Sequence, residues 1–172
     1  MEGFLNPSEV LNQLELRENM IAADFGSGSG GWVIPLAKRL KEGRVYAIDI
    51  LEEPLSTLKS KAEHEEVLNL VLLRGDIEKG VKVPDSICEL VLVTNLLFQA
   101  EDRNKVLSEA KRVLSPGGKI LVVDWKPASS LGPKQGKISS EEVKKIAESL
   151  NLKLEKEFSA GIYHYGLVFI KK

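Results

Sequence analysis

Cysteine is nearly missing from this chain: Cys88 is the one residue of its kind among 172. No internal disulfide can form. With only two histidines, His64 and His164, there is no Cys/His cluster of metal-binding type either. A reducing, cytoplasmic setting is expected, and Cys88, beside the apolar run Leu90–Val93, reads as a buried structural residue. An excess of one charge is also lacking. The 24 Lys and Arg nearly balance the 25 Asp and Glu, and the net charge of −1 gives no long-range pull toward nucleic acid or an anionic membrane. No stretch reaches the roughly 20 apolar residues needed to cross a bilayer. The start, Met1-Glu-Gly-Phe-Leu-Asn-Pro7, has neither the basic region nor the apolar centre of a signal peptide. What remains is a chain with an ordinary hydrophobic share, 43%, and a length suited to one domain over residues 1–172. Neither a nucleic-acid nor a membrane partner is expected of it.

Glycine, by contrast, is concentrated where it matters. The stretch Ile21-Ala-Ala-Asp24-Phe-Gly26-Ser27-Gly28-Ser-Gly30-Gly31-Trp32 runs from a short apolar strand through a carboxylate and a glycine turn into a helical pattern ending near Leu40. A strand, a tight loop and a helix N-terminus form the arrangement by which α/β proteins hold an extended nucleotide-like ligand. The glycines satisfy two patterns. Gly26, Gly28 and Gly31 fit G-x-G-x-x-G, the dinucleotide fingerprint; Gly26, Gly28 and Gly30 fit G-x-G-x-G with an acid two residues ahead. Asp24 suits a ligand bearing an ammonium group and would not help to hold a pyrophosphate.

Further strand ends carry acids or amides. Val45–Asp49 places Asp49 about twenty residues past the glycines, where a carboxylate can accept both hydroxyls of an adenosine ribose, or else cap the next helix. Ile50 and Leu51 would offer an apolar face to adenine. Leu70–Leu73 leads into Gly75-Asp76-Ile77, and the near-continuous apolar run Ile87–Val93, a central strand by its composition, ends in Thr94-Asn95-Leu96. Between these runs lie helical stripes: Val10, Leu11 and Leu14 after an Asn6-Pro7 start; Val33, Leu36, Ala37 and Leu40; Leu55, Leu58 and Ala62; Val106, Leu107, Ala110, Val113 and Leu114. The first of these helices should run from Pro7 to about Leu14, with Phe4 and Leu5 before it as a hydrophobic staple or a flap over the ligand. Ser115-Pro-Gly-Gly118 reads as a stop and turn before a fifth strand, Lys119–Trp125. The loop Lys126–Lys137 follows. Ser139 with Glu142 then makes a capping box for a helix through Val143, Ile146, Ala147 and Leu150. Two last strand-like runs, Lys153–Ser159 and Gly166–Ile170, are joined too closely for a crossover helix and must be antiparallel.

In this order the motifs resemble those of class I S-adenosylmethionine-dependent methyltransferases. The likeness covers essentially the whole chain and is greatest for the small ubiquinone/menaquinone-biosynthesis branch, as in Phe4-Leu-Asn-Pro7, Leu114-Ser-Pro-Gly-Gly-Lys-Ile-Leu-Val122, Val123-Asp-Trp125 and Tyr163-His-Tyr165-Gly. It implies a doubly wound, seven-stranded mixed sheet, mostly parallel with the last strand antiparallel, and helices on both faces. The expected divisions are an N-terminal helical region (1–18), a cofactor-binding core (19–125) and a closing loop, helix and hairpin (126–172). The implied cofactor is S-adenosylmethionine, held by Asp24, Gly26, Ser27, Gly28, Gly30, Asp49, Ile50, Gly75, Asp76, Ile77, Asn95 and Leu96. Within that set Asp76 would meet the adenine amino group, or else only stabilise its own turn. The chain departs from the family's amine-methylating members, which carry Asn/Asp-Pro-Pro-aromatic where this one reads Asn95-Leu-Leu-Phe98; a small-molecule acceptor follows. His164 and Tyr163 are the candidate catalytic residues, with no metal. Two alternatives remain: a cofactor-binding module that needs a partner, and a nicotinamide-dependent oxidoreductase. For the latter, none of Tyr46, Tyr163 and Tyr165 is followed by the Lys four residues on that proton transfer would need.

Overall fold

The computed structural model describes residues 3–172; Met1 and Glu2, and with them part of the start judged to lack a signal peptide, lie outside it. Seven strands form one sheet: β1 (Ile21–Phe25), β2 (Arg44–Asp49), β3 (Leu70–Arg74), β4 (Cys88–Thr94), β5 (Leu114–Trp125), β6 (Leu152–Ala160) and β7 (His164–Lys171), in the spatial order β3-β2-β1-β4-β5-β7-β6. β1 pairs in parallel with β2 and with β4, while β7 runs antiparallel to both β5 and β6. Six strands therefore share one direction and β7 opposes them. The strand order reverses between β1 and β4, and the crevice at such a switch point is where open α/β sheets bind ligands.

Burial follows the alternation of side chains along each strand. Ala23, Phe25, Val91, Val93, Ile120, Val122, Leu167 and Phe169 face one side, covered by α4 (Arg103–Val113) and α5 (Ser140–Ser149). Ala22, Leu90, Leu92, Leu121, Val123 and Val168 face the other, under α1 (Pro7–Leu11), α2 (Val33–Arg39) and α3 (Glu52–His64). The expected helical stripes supply both layers. Fully buried leucines such as Leu58 and Leu107 each contribute about 1.5–3 kcal/mol by leaving water. The Ser139–Glu142 capping box forms in both directions, and Cys88 is buried.

Three local expectations are revised. α1 ends at Leu11, because Gln13 and Leu14 turn back to the carbonyls of Val10 and Leu11 instead of continuing the α-helical ladder. Ser115–Gly118 is no separate turn: it bulges within β5, so that Cys88 pairs with Leu114 but Leu90 already pairs with Lys119. In β6, Lys153–Glu157 are exposed in succession and not in alternation. β6 is the sheet's edge, and its run of Lys and Glu is the composition that discourages edge-to-edge pairing. Among the described residues no helix is long and apolar enough to cross a membrane.

Candidate active site

The carboxyl ends of β1, β2 and β3 are stitched together by the loops that leave them. Gly26 and Ser27 both donate their N–H groups to the carbonyl of Ile48, at 2.9 Å each. Gly28 donates to the Asp49 carboxylate (2.9 Å), whose other oxygen accepts the N–H of Leu51 (3.0 Å). Gly75 donates to the carbonyl of Asp49 (3.0 Å). Gly26 and Gly28 adopt φ of +74° and +54°, a left-handed backbone that residues with a Cβ reach only with strain. At Gly28 a Cβ would meet nothing within 4 Å: the space beside the loop is open there, and only the backbone angle calls for glycine.

Asp24 lies beneath that loop, fully buried, and neither carboxyl oxygen has a protein partner. Burial first, and the negative charge of Asp49 second, push its carboxyl up to about 8. Ile50 and Leu51 stand out as exposed apolar side chains at 55% and 59%. Asp76 accepts the N–H of Glu78 (3.0 Å) and pairs with Lys79 (3.2 Å), capping the short 3-10 turn Ile77–Lys79.

Across the switch point, β4 delivers Asn95 and Leu96. Asn95 takes φ +48°, and its side-chain oxygen is buried without a partner; Leu96 folds over Gly26, to whose missing Cβ it would come within 3.1 Å. This loop is held by Asp124 of β5. That buried carboxylate accepts the N–H groups of Leu97 (3.0 Å) and Phe98 (3.3 Å), and that of Trp125 (2.8 Å). Burial raises Asp124 to about 6, while the same three N–H groups pull the other way. Arg103 adds a second clamp, donating to the carbonyls of Leu97 (3.0 Å) and of Gly136 (2.7 Å) in the long loop.

His164 begins β7, opposite Trp125 in the register, with ring centroids 4.0 Å apart. It is 4% exposed, and neither ring nitrogen has a partner. Burial, helped by the positive charge of Lys126, lowers it to about 4, so the imidazole is neutral at neutral pH. Tyr163 lies 5.8 Å from the ring of Phe4, and Ile162 donates its N–H to the carbonyl of Gly3 (2.9 Å), tying the start of the described chain to the hairpin turn.

A model of the methyltransferase domain matches residues 23–122, more than half of the chain and the whole of the segment that builds this crest as far as β5. The chain belongs to the methyltransferase-domain family. A demethylmenaquinone methyltransferase from Bacillus mycoides is 29% identical over 131 residues, which is 74% of this chain and 54% of that protein. The chain thus spans about half the length of such curated relatives. A SAM-dependent methyltransferase from Aquifex aeolicus superposes with a TM-score of 0.90 at 26% identity, over 98% of this chain and 90% of that one. The PH0226 protein from Pyrococcus horikoshii, 20% identical, shares the fold with a TM-score of 0.81 over 97% and 88% of the two chains. The chain is a methyltransferase domain, similar to the demethylmenaquinone methyltransferases of Bacillus and to a SAM-dependent methyltransferase of Aquifex. The nicotinamide alternative falls with that assignment.

The methyltransferase fold brings most of the expected residues to one edge. Asp24, Gly26, Ser27, Gly28 and Gly30 follow β1, Asp49 and Ile50 follow β2, and Asn95 and Leu96 follow β4. Gly75, Asp76 and Ile77 sit farther out, behind the edge strand β3. Asp124 was missed as a positioning residue. Its sequence signal was a lone acid inside an otherwise apolar strand, where burial demands hydrogen-bond donors.

Proposed function

We propose that the protein transfers the methyl group of S-adenosylmethionine to a small uncharged acceptor held at the β5–β7 end of the crest. One observation carries this reading. The buried side-chain atoms left without a protein partner, among the described residues, belong to Asp24, Ser27, Asn95 and His164, all beside the carboxyl ends of the parallel strands. Buried polar atoms left unpaired cost about 1–3 kcal/mol each, so a cluster of them at a switch point is best explained by a ligand that pairs with them.

In this reading Asp24 receives the ammonium of the methionine portion, Ser27 offers its unpaired hydroxyl beside it, and Asp49 takes the ribose hydroxyls. Adenine lies on Ile50, with Asp76 and the Ile77 N–H at its edge. The cofactor supplies an already activated methyl group, so the chain's own work is to bind, align and exclude water. At the far end Trp125, Tyr163 and His164 offer aromatic surface and one neutral hydrogen-bonding ring. An imidazole lowered to about 4 does not hold a proton at neutral pH; His164 orients an acceptor and does not store its proton. Balanced net charge and the aromatic acceptor end favour small neutral molecules over nucleic acid, and the whole chain acts as one domain in a reducing cytoplasm. Demethylmenaquinone, named for the Bacillus relatives, is one acceptor to try.

The test has two stages. Isothermal titration with S-adenosylhomocysteine should give binding that Asp49→Ala weakens. Incubation with S-adenosylmethionine and a panel of neutral ring compounds, amines and carboxylates, read by mass spectrometry, should then give methylated product among the neutral compounds. Absence of binding refutes the site; methylation confined to amines or carboxylates refutes the acceptor class.

A further inference from the structure

We infer that binding of the cofactor expels a proton from Asp24, so that cofactor affinity is set by pH. The inference rests on the proposed role of Asp24 and adds the protonation state in which the free protein holds that residue. The geometry carries it. Asp24 projects from β1 onto the face shared with Ala22 and Leu92, under the glycine loop, with no exposure and no donor to either oxygen. An ionised carboxylate cannot be kept in such a place without a counter-charge.

No cation is turned toward it. Across the sheet β2 sets Ala47 opposite and, two residues on, Asp49, whose charge is of the same sign; β4 sets Leu92 opposite. The glycine loop contributes only the Ser27 hydroxyl. On α2, Lys38 is engaged with Glu65 and Arg39 with the carbonyl of Ser8; on α1, Glu9 takes the Asn6 amide. His164, on the same sheet face at the other end, is neutral. The carboxyl, unpaired and pushed up to about 8, is therefore mostly protonated in the free protein at pH 7.

A ligand ammonium reverses the balance. It is the counter-charge the pocket lacks, and beside it the carboxylate form is the stable one. The ligand's α-ammonium, which would titrate near 7.7–8.0 at a chain terminus and is raised further by the carboxylate on the same carbon, keeps its charge between pH 6 and 7.5. Complex formation in that window then releases the Asp24 proton to the buffer and nothing else changes protonation at the pair.

The experiment is calorimetric titration of the wild-type protein with S-adenosylhomocysteine at pH 7 in phosphate and in Tris, and in a series from pH 6 to 7.5. The observed enthalpy should differ between the buffers by an amount corresponding to release of most of one proton, and affinity should rise toward tenfold per pH unit. Asp24→Asn should bind more weakly, with the same enthalpy in both buffers. In Asp49→Asn, which removes the like charge, the pH at which affinity levels off should fall. Tight binding that is flat in pH and indifferent to buffer overturns the inference and leaves the cofactor site standing. No binding anywhere in the range overturns both.

Discussion

The buried acid of β1 makes a demanding prediction for the free protein. Asp24 titrates near 3.8 when unfolded and near 8 when folded. Between those values the folded state holds a proton that the unfolded state has released. This contribution is fully favourable below about pH 4 and is lost as pH rises toward 8. The slope is about 1.4 kcal/mol per pH unit, so roughly 4 kcal/mol should disappear between pH 5 and 8. For a chain of this length that corresponds to a fall of about 10 °C in Tm. Asp24→Asn keeps the shape and removes the ionisation, so it should flatten this slope and leave the variant more stable than wild type at pH 8. Asp124, raised to about 6, and His164, lowered to about 4, also titrate on folding, in opposite senses. The measurement is therefore the difference in Tm between wild type and Asp24→Asn, followed by circular dichroism from pH 5 to 8. A difference that stays constant with pH, or a variant less stable than wild type at pH 8, would refute a buried, unpaired Asp24.

Other substitutions probe the remaining parts of the crest. Asp49→Ala should weaken S-adenosylhomocysteine binding by about 1–3 kcal/mol, the cost of leaving ribose hydroxyls unpaired, and unchanged affinity by calorimetry removes it from the site. Asp124→Ala strips the Leu97 and Phe98 N–H groups of their buried acceptor and should cost about 2–4 kcal/mol in urea unfolding; a loss below about 0.5 kcal/mol would mean that the loop holds without it. His164→Phe replaces a buried ring with two unpaired nitrogens by an apolar one. It should stabilise the free protein by about 1 kcal/mol while lowering methyl transfer, and a destabilised variant would show that the nitrogens do have partners.

The parts of this molecule that were legible in its sequence were those written in short-range pattern. Period-two and period-3.6 hydrophobicity located the strands and helices, because each element must turn one face to a shared core. The glycines before Trp32 announced the loop, because only glycine holds φ of +74° and +54° without strain. Asp24, Asp49 and Asn95 could be picked out as polar residues at the ends of apolar runs. What escaped depends on pairs distant along the chain. The bulge of Ser115–Gly118 arises from the register of β5 against β4, which no local turn signal contains. Asp124 binds backbone N–H groups 26 and 27 residues away, so its purpose could not be seen from Val123 and Trp125 beside it. The two ends of the proposed site differ in the same way. The proposed cofactor end is built from loops that each follow their own strand, and it announces itself locally. The proposed acceptor end is made where β5, β7 and the first described residues meet, through Trp125 against His164 and Ile162 against Gly3. Acceptor choice can therefore change by substitution at contacts remote in sequence while the glycine loop, and with it the cofactor, stays the same.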